Sequence, residues 1–378
     1  MSTRLSITVD LQAIANNWLT LKAALGLADC AAVVKADAYG LGAKAVVAQL
    51  LSVGCRHFFV ANINEAAVVR GVCEEHGIDA TIYTLQGCEP HQQATFIQHR
   101  IIPVLISAAM ARQWLAYSQE HLSGCLPCAI KINTGMNRLG LDPCELKALV
   151  AEHPALLHQT EAPLLVSHLA CADEPDHPLN ALQLATYREI YDWARALNPA
   201  VRGSLANSSG IFLGAQYHFE LARPGAALYG LNPQPYASNP MQSVLTLRLP
   251  IVQLRKAPAG SFVGYGAQTQ LQRDSHLATV AGGYADGFFR TAVGRMRGWV
   301  GGVYVPLMGR VSMDALVFDV TDAGAINESD SIEILGAHMT ADEQGFAANT
   351  IGYEVLTRLG DRIKRHYIGR IGRRAEGL

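Results

Sequence analysis

The alternation of short apolar runs with amphipathic segments constrains this 378-residue chain more than any other feature. Strand-like runs lie at 31–34, 58–60, 81–85, 101–105, 129–132, 164–167 and 203–206, and helix-like segments at 43–53, 65–73, 108–121, 145–152 and 182–197 separate them. Ahead of them, Asp10 is placed to cap a helix whose Leu11, Ile14, Trp18, Leu21 and Leu25 recur at helical spacing. Strand and helix in strict alternation through about residue 230 predict a parallel sheet with crossover helices. Strands without a polar face predict that both faces are covered. No glycine-rich dinucleotide turn follows the first strand, so a closed barrel is expected rather than an open doubly wound sheet.

The pattern changes at the proline-dense stretch 232–240. Beyond it, strand-like runs at 244–249, 278–281, 303–307, 315–320 and 331–335 are joined by Gly, Asp and Asn turns, and the first long helix is predicted at 347–359. The expected fold is therefore α/β: a (β/α)8 TIM-type barrel over residues 1–235, followed by a smaller mainly-β domain over 236–378.

Charge excludes several partners. Thirty Lys and Arg against 32 Asp and Glu leave a net charge of −2, too little to steer the protein onto nucleic acid or anionic lipid. A small molecule is the expected partner. No apolar run approaches the length of about eighteen residues needed to span a membrane, and residues 1–10 alternate like a strand instead of forming a signal-peptide block. The expected compartment is the cytoplasm. There, the eight cysteines are expected to act as small buried hydrophobes, and the Cys125–Cys128 spacing lacks the second pair that a zinc site needs, so no metal is expected. The basic tail, with Arg362, Lys364, Arg365, Arg370, Arg373 and Arg374, is expected to be a solvated end or a subunit contact.

One segment points to chemistry. In Val33-Val34-Lys35-Ala36-Asp37-Ala38-Tyr39-Gly40 a lysine ends an apolar strand, where desolvation disfavours its charged form. A lysine amine of lowered basicity can form a Schiff base with a carbonyl compound or with pyridoxal phosphate. Taken alone, Lys35 could equally snorkel to the barrel rim. Two further segments favour chemistry: Asn207-Ser208-Ser209-Gly210, and Arg223-Pro224-Gly225-Ala226, whose glycine leaves backbone N–H groups open to a phosphate.

These segments resemble the motifs of alanine racemase, in order and spacing. So do Lys131-Ile132-Asn133-Thr134-Gly135-Met136-Asn137-Arg138, Ser167-His168-Leu169-Ala170-Cys171-Ala172-Asp173, Gly264-Tyr265-Gly266-Ala267, Gly283-Tyr284-Ala285-Asp286-Gly287 and Met308-Gly309-Arg310-Val311-Ser312-Met313-Asp314. The resemblance runs from residue 33 to residue 353. It implies a homodimer that uses pyridoxal 5'-phosphate to interconvert L- and D-alanine, by a two-base mechanism with shared active sites. Lys35 would hold the cofactor as an internal aldimine. Tyr39, Ser208, Gly225, Ala226 and Tyr353 would hold its phosphate, and Arg223 would face the pyridine nitrogen. Lys35 would serve one face of the substrate Cα and Tyr265, from the partner subunit, the other. His168 would link Tyr265 toward Arg223. Arg138 and the Met313 N–H would meet the substrate carboxylate, and Lys131 matches a position carbamylated in many relatives. Asp173, Tyr284, Arg290 and Arg310 would line the access corridor. D-alanine supply for peptidoglycan and D-alanine breakdown are both compatible with the resemblance.

Four positions depart from the commonest family pattern. Asn133 stands where many members carry Asp, Leu41 replaces a frequent His, and Phe288-Phe289 replace a usual Tyr-Pro. Other readings remain open at this stage. A broader-specificity racemase differs in substrate width, a non-catalytic pyridoxal phosphate carrier would lack the second domain, and a decarboxylase of similar build would carry a carboxylate in place of Arg223.

Overall fold

The computed structural model describes residues 5–121, 126–158 and 163–369. Asp10 caps the first helix, Leu11–Leu25, by accepting from the N–H groups of Gln12 and Ala13, and the five apolar side chains expected on its inner face are all buried. Strands Ala32–Val33, His57–Val60, Thr81–Thr84, Ile101–Leu105, Ala129–Lys131, Leu164–Val166 and Arg202–Ser204 form one parallel sheet in chain order. The eighth strand, Leu221–Ala222, closes it. Its flanks bond the seventh strand through Glu220 N–H to Gly203 O (3.1 Å) and Arg223 N–H to Ala206 O (2.9 Å). On its other edge it pairs with Asp29–Cys30, which runs directly into the first strand. The barrel is thus eight-stranded, and its carboxyl-end rim carries Lys35, Lys131, His168, Ser208 and Arg223, as expected of a (β/α)8 fold.

The second half is built on the long strand Leu245–Ala257, which pairs antiparallel with Ser275–Ala281 and Ser331–Leu335. The opening strand Ser6–Asp10, expected with the barrel, lies in this sheet instead. It pairs antiparallel with Leu245–Ala257 (Ile7 opposite Leu247) and parallel with Lys364–Ile368 (Ile7 opposite Arg365). Ile7 and Val9, both fully buried, drive that placement, because alternating side chains bury one face against the core.

The helix expected at 347–359 is instead two short helices, Ala341–Ala347 and Gly352–Thr357. The first starts earlier because Thr340 and Glu343 form a reciprocal capping box. It ends where Asn349 adopts φ 61°, which no continuing helix tolerates. Sequence reading also missed the short helix Gln93–Gln98. Cys30, Cys55, Cys73, Cys88 and Cys128 are buried as expected, whereas Cys144 is exposed and Cys171 half-buried; burial raises the thiols of Cys30, Cys55, Cys73 and Cys88, those of Cys55 and Cys88 to about 12. Cys125, Arg370, Arg373 and Arg374 lie outside the described residues. Among the described residues, no helix is long and apolar enough to cross a membrane.

Candidate active site

Lys35 follows the first barrel strand and opens an unusual turn. Ala36, Asp37, Ala38 and Tyr39 all take left-handed conformations, with φ between 52° and 56°, and Gly40 (φ 80°) completes the series. Each non-glycine residue in that region costs about 1–2 kcal/mol, so the surroundings must enforce the turn. Asp37 accepts from Ala43 N–H (2.7 Å) at its far end, and Glu65 accepts from Ala36 N–H (2.9 Å) at its near end. The Tyr39 ring is buried 4.6 Å from Tyr229 and 6.1 Å from Tyr353. Burial, then proximity to Tyr353, raises the Tyr39 phenol well above its ordinary value.

Opposite Tyr39, Ser208 Oγ accepts from Gly225 N–H (3.0 Å) and Ala227 N–H (3.2 Å), which fixes the start of the turn Ala226–Tyr229. Arg223 is buried, and both terminal nitrogens of its guanidinium are engaged. It donates to Ser204 O (2.7 Å), Ser204 Oγ (2.5 Å) and Ser167 O, and its Nη2 lies 3.5 Å from His168 Nδ1. Burial brings the guanidinium down to about 10, which leaves it a cation at neutral pH. Since Arg223 can only donate, Nδ1 of His168 is the acceptor and Nε2 carries the proton. Burial, reinforced by Arg223, Lys131, Arg138 and Lys35, drives the His168 imidazole far below its ordinary basicity, in keeping with that neutral tautomer. Buried Gln183 holds the segment by donating to His168 O (2.9 Å) and accepting from Ala170 N–H (2.9 Å).

Two more cationic side chains converge on the same space. Lys131 is 7% exposed, and burial together with Arg223, Arg138 and Lys35 lowers its amine to about 8. Lys35 is also less basic than an ordinary lysine, through burial and then Arg138, with Glu65 opposing them. Arg138 makes no hydrogen bond or ion pair among the described residues, which leaves its guanidinium available to an anion. Asn133 serves the loop: its amide bonds Asn137 Oδ1 and Asp142 Oδ1 (both 2.9 Å) and accepts from Gly135 and Asn137 N–H.

Lys35, Tyr39, Lys131, Arg138, His168, Ser208, Arg223, Gly225, Ala226 and Tyr353 all line one cavity of about 620 Å3. Tyr353 arrives from the second half of the chain, and burial raises its phenol to about 12, helped by Asp173 and Asp342. Sequence reasoning missed Ile351, Glu354 and Thr357, which share that wall. It also missed Glu65, whose spacing from Asn62 marks a helix start but does not show that its carboxylate crosses to Lys35's turn.

Tyr265 and Met313 do not reach this cavity. Tyr265, 66% exposed, tips the hairpin of Phe262–Val263 and Thr269–Gln270, and Met313, 52% exposed, sits on a neighbouring loop. The Tyr284 loop is pressed against the Met313 loop, with Tyr284 N–H on Ser312 O (3.0 Å) and Ala285 N–H on Met313 O (3.1 Å). The Met313 N–H has no partner among the described residues. Arg310 backs the Tyr265 turn beside Gly266. Tyr284, Arg290 and Arg310 are absent from the cavity wall, as is Asp173, which nonetheless lies near enough to Tyr353 to perturb it.

The family description "alanine racemase, N-terminal domain" matches residues 9–233, and "alanine racemase, C-terminal domain" matches residues 244–367. The chain belongs to the alanine racemase family. Alanine racemases from Rhodospirillum rubrum (45% identity) and Rhizobium meliloti (43%) each align over 96% of this chain and 96% of their own length. A crystal structure of the Bartonella henselae alanine racemase, with covalently bound pyridoxal phosphate, superposes with a TM-score of 0.89 at 36% identity, covering 97% of this chain and 99% of that one. As a member of the alanine racemase family, the chain is an isomerase.

Proposed function

We propose that this chain interconverts L- and D-alanine with pyridoxal 5'-phosphate in the described cavity. The observation that carries this reading is the joint presence, in one cavity, of a lysine of lowered basicity, a buried guanidinium and the Ser208–Gly225 cradle. These residues fit the cofactor. A Cβ on Gly225 would fall 2.5 Å from the Tyr39 hydroxyl, so the backbone there stays bare beside two phenols and a serine. Lys35 would hold the cofactor covalently through Nζ. Tyr39, Ser208, Gly225, Ala226 and Tyr353 would hold the phosphate, and Arg223 the pyridine nitrogen.

When bound, pyridoxal phosphate acidifies the amino acid's Cα–H by withdrawing the electrons left after proton loss. Inverting a centre then requires a proton to leave one face and another to arrive on the opposite face. Lys35, less basic than an ordinary lysine through burial, would serve one face. Tyr265 stands exposed on a hairpin tip, outside its own chain's cavity. Tyr265 of the partner subunit would serve the second face in a homodimer. The Nε2–H of His168 would then steady its phenolate, while Nδ1 stays on Arg223. A substrate carboxylate would meet Arg138 and the free Met313 N–H of the partner subunit. Arg223 is unable to give up its proton, so the ring nitrogen gains a hydrogen bond without a full charge. Asp173, Tyr284, Arg290 and Arg310 would line the corridor between the two chains. Lys131 at about 8 has a large neutral fraction under mild conditions and is a candidate for carbamylation beside Arg138. The buried thiols fit the reducing cytosol, where we place the protein.

The test is optical and chemical. The purified protein should show a visible absorption band that borohydride abolishes, leaving a reduced pyridoxyl adduct on the Lys35 peptide, and either alanine enantiomer should decay to the racemate. A colourless protein that leaves both enantiomers unchanged after addition of pyridoxal phosphate would overturn the proposal.

A further inference from the structure

Glu65 departs from the usual role of an acidic residue in the first turn of a helix. Its helix, Ile63–Glu75, is capped by Asn62, whose Oδ1 accepts from Asn64 N–H (3.1 Å) and Glu65 N–H (3.2 Å). In a capping box the acid at this position would return to the N–H of the cap itself. Glu65 reaches past it. One carboxylate oxygen accepts from Ala61 N–H at 2.7 Å, at the end of strand His57–Val60. The other accepts from Ala36 N–H at 2.9 Å, the residue immediately after Lys35. One side chain therefore ties two adjacent barrel strands together at their carboxyl ends, and it does so where four non-glycine residues are forced left-handed.

We propose that Glu65 is the positioning residue of Lys35: its carboxylate locks the main chain on which Lys35 stands and sets a negative charge beside the lysine amine. The proposal rests on the reading of Lys35 as the cofactor-bearing base. Two features favour a role beyond bracing. The carboxylate sits at a helix N-terminus, where the helix dipole favours its charge. The groups that face Lys35 from the other barrel elements are mostly cations: Arg138 and Lys131 from one strand end, Arg223 from another, with His168 held neutral. Tyr39 and Tyr353 are held protonated by burial, so neither offsets those cations. Glu354, from the helix Gly352–Thr357, also lines the cavity, but its carboxylate is engaged by Thr350 and Arg358. Among the described residues, Glu65 supports the charged form of the Lys35 amine, against burial and Arg138.

The test uses the holoenzyme and two variants that separate charge from tether. Glu65→Gln keeps the shape but offers a single acceptor oxygen to two N–H groups and no charge. Glu65→Asp keeps the charge but is one methylene too short to span both. With D-alanine, the acid limb of the kcat profile reports the freed Lys35 amine. Glu65→Gln should move that limb about half to one pH unit lower and reduce plateau kcat about tenfold, with KM within about twofold. Glu65→Asp should leave the limb in place, lower kcat similarly and, like Glu65→Gln, alter the visible circular dichroism of the bound cofactor. A limb and plateau unchanged in both variants would overturn the proposal. So would a lowered kcat with the limb unmoved in Glu65→Gln, since that reduces Glu65 to a brace. If Glu65→Gln does not fold, Glu65→Asp decides: unchanged kcat and dichroism refute the tether. Wild-type protein without a visible band would instead refute the cofactor reading itself.

Discussion

The Tyr39 hydroxyl lies 2.5 Å from the position a Cβ on Gly225 would occupy, and the Val33 side chain 3.3 Å from it. Tyr39 and Gly225 come from opposite ends of the barrel sequence, and both line the cavity where the eighth strand meets the first. Gly225→Ala should therefore displace Tyr39 and weaken cofactor retention about tenfold or more, read as the dissociation constant of pyridoxal phosphate by absorbance after dilution. Gly71→Ala is the matched control. Gly71 lies in the helix Ile63–Glu75 with nothing within 4 Å of the added methyl, so that change should stabilise the fold by about 0.5–1 kcal/mol in urea melts and leave the cofactor untouched.

Lys131 makes stability depend on pH in a definite direction. Its amine sits at about 8 when folded against an ordinary 10.5, so the unfolded chain binds the extra proton between those values. Stability should be lowest below pH 8 and rise as pH passes from about 8 to 10.5, by an amount on the order of 3 kcal/mol if the amine stays unmodified. Subtracting Lys131→Met from wild type in urea melts isolates this term from the tyrosines. A carbamate on Lys131 would remove the cost. Activity should then fall in carbon-dioxide-free buffer and return with bicarbonate in wild type only.

Much of this was legible from sequence, and the limits are physical. Strand and helix periods are local, so the barrel and the strand-end position of Lys35 could be read directly, whereas Lys131 was expected inside its strand and the strand before Arg223 was not foreseen. Pairing between distant strands leaves no local trace, which is why Ser6–Asp10 was expected in the barrel although Ile7 meets Leu247. The break at Asn349 was visible only as an ordinary residue in a helical pattern, whereas Thr340 and Glu343 carried a readable start signal. The left-handed turn at Ala36–Tyr39 contains no glycine, so nothing in the sequence announced it. Glu65 was missed for the same reason, because its second partner belongs to that turn.

The separation of Tyr265 and Met313 from their own chain's cavity makes assembly testable. Mixing inactive Lys35→Ala with inactive Tyr265→Ala subunits, after verified exchange, should restore up to about a quarter of wild-type activity. Random pairing makes half the dimers hybrid, and each hybrid has one intact site. No recovery would place both residues in one chain's site.

The assignment of one base to each face of Cα is tested most directly by deuterium washout. In heavy water, proton NMR follows loss of the α-proton from each alanine enantiomer with Tyr265→Phe, which keeps the ring and deletes the phenol. If Lys35 serves the D-enantiomer and Tyr265 the L-enantiomer, the variant should still exchange the α-proton of D-alanine, lose exchange from L-alanine and racemise far more slowly. Equal, near-normal washout from both enantiomers would contradict the two-base arrangement.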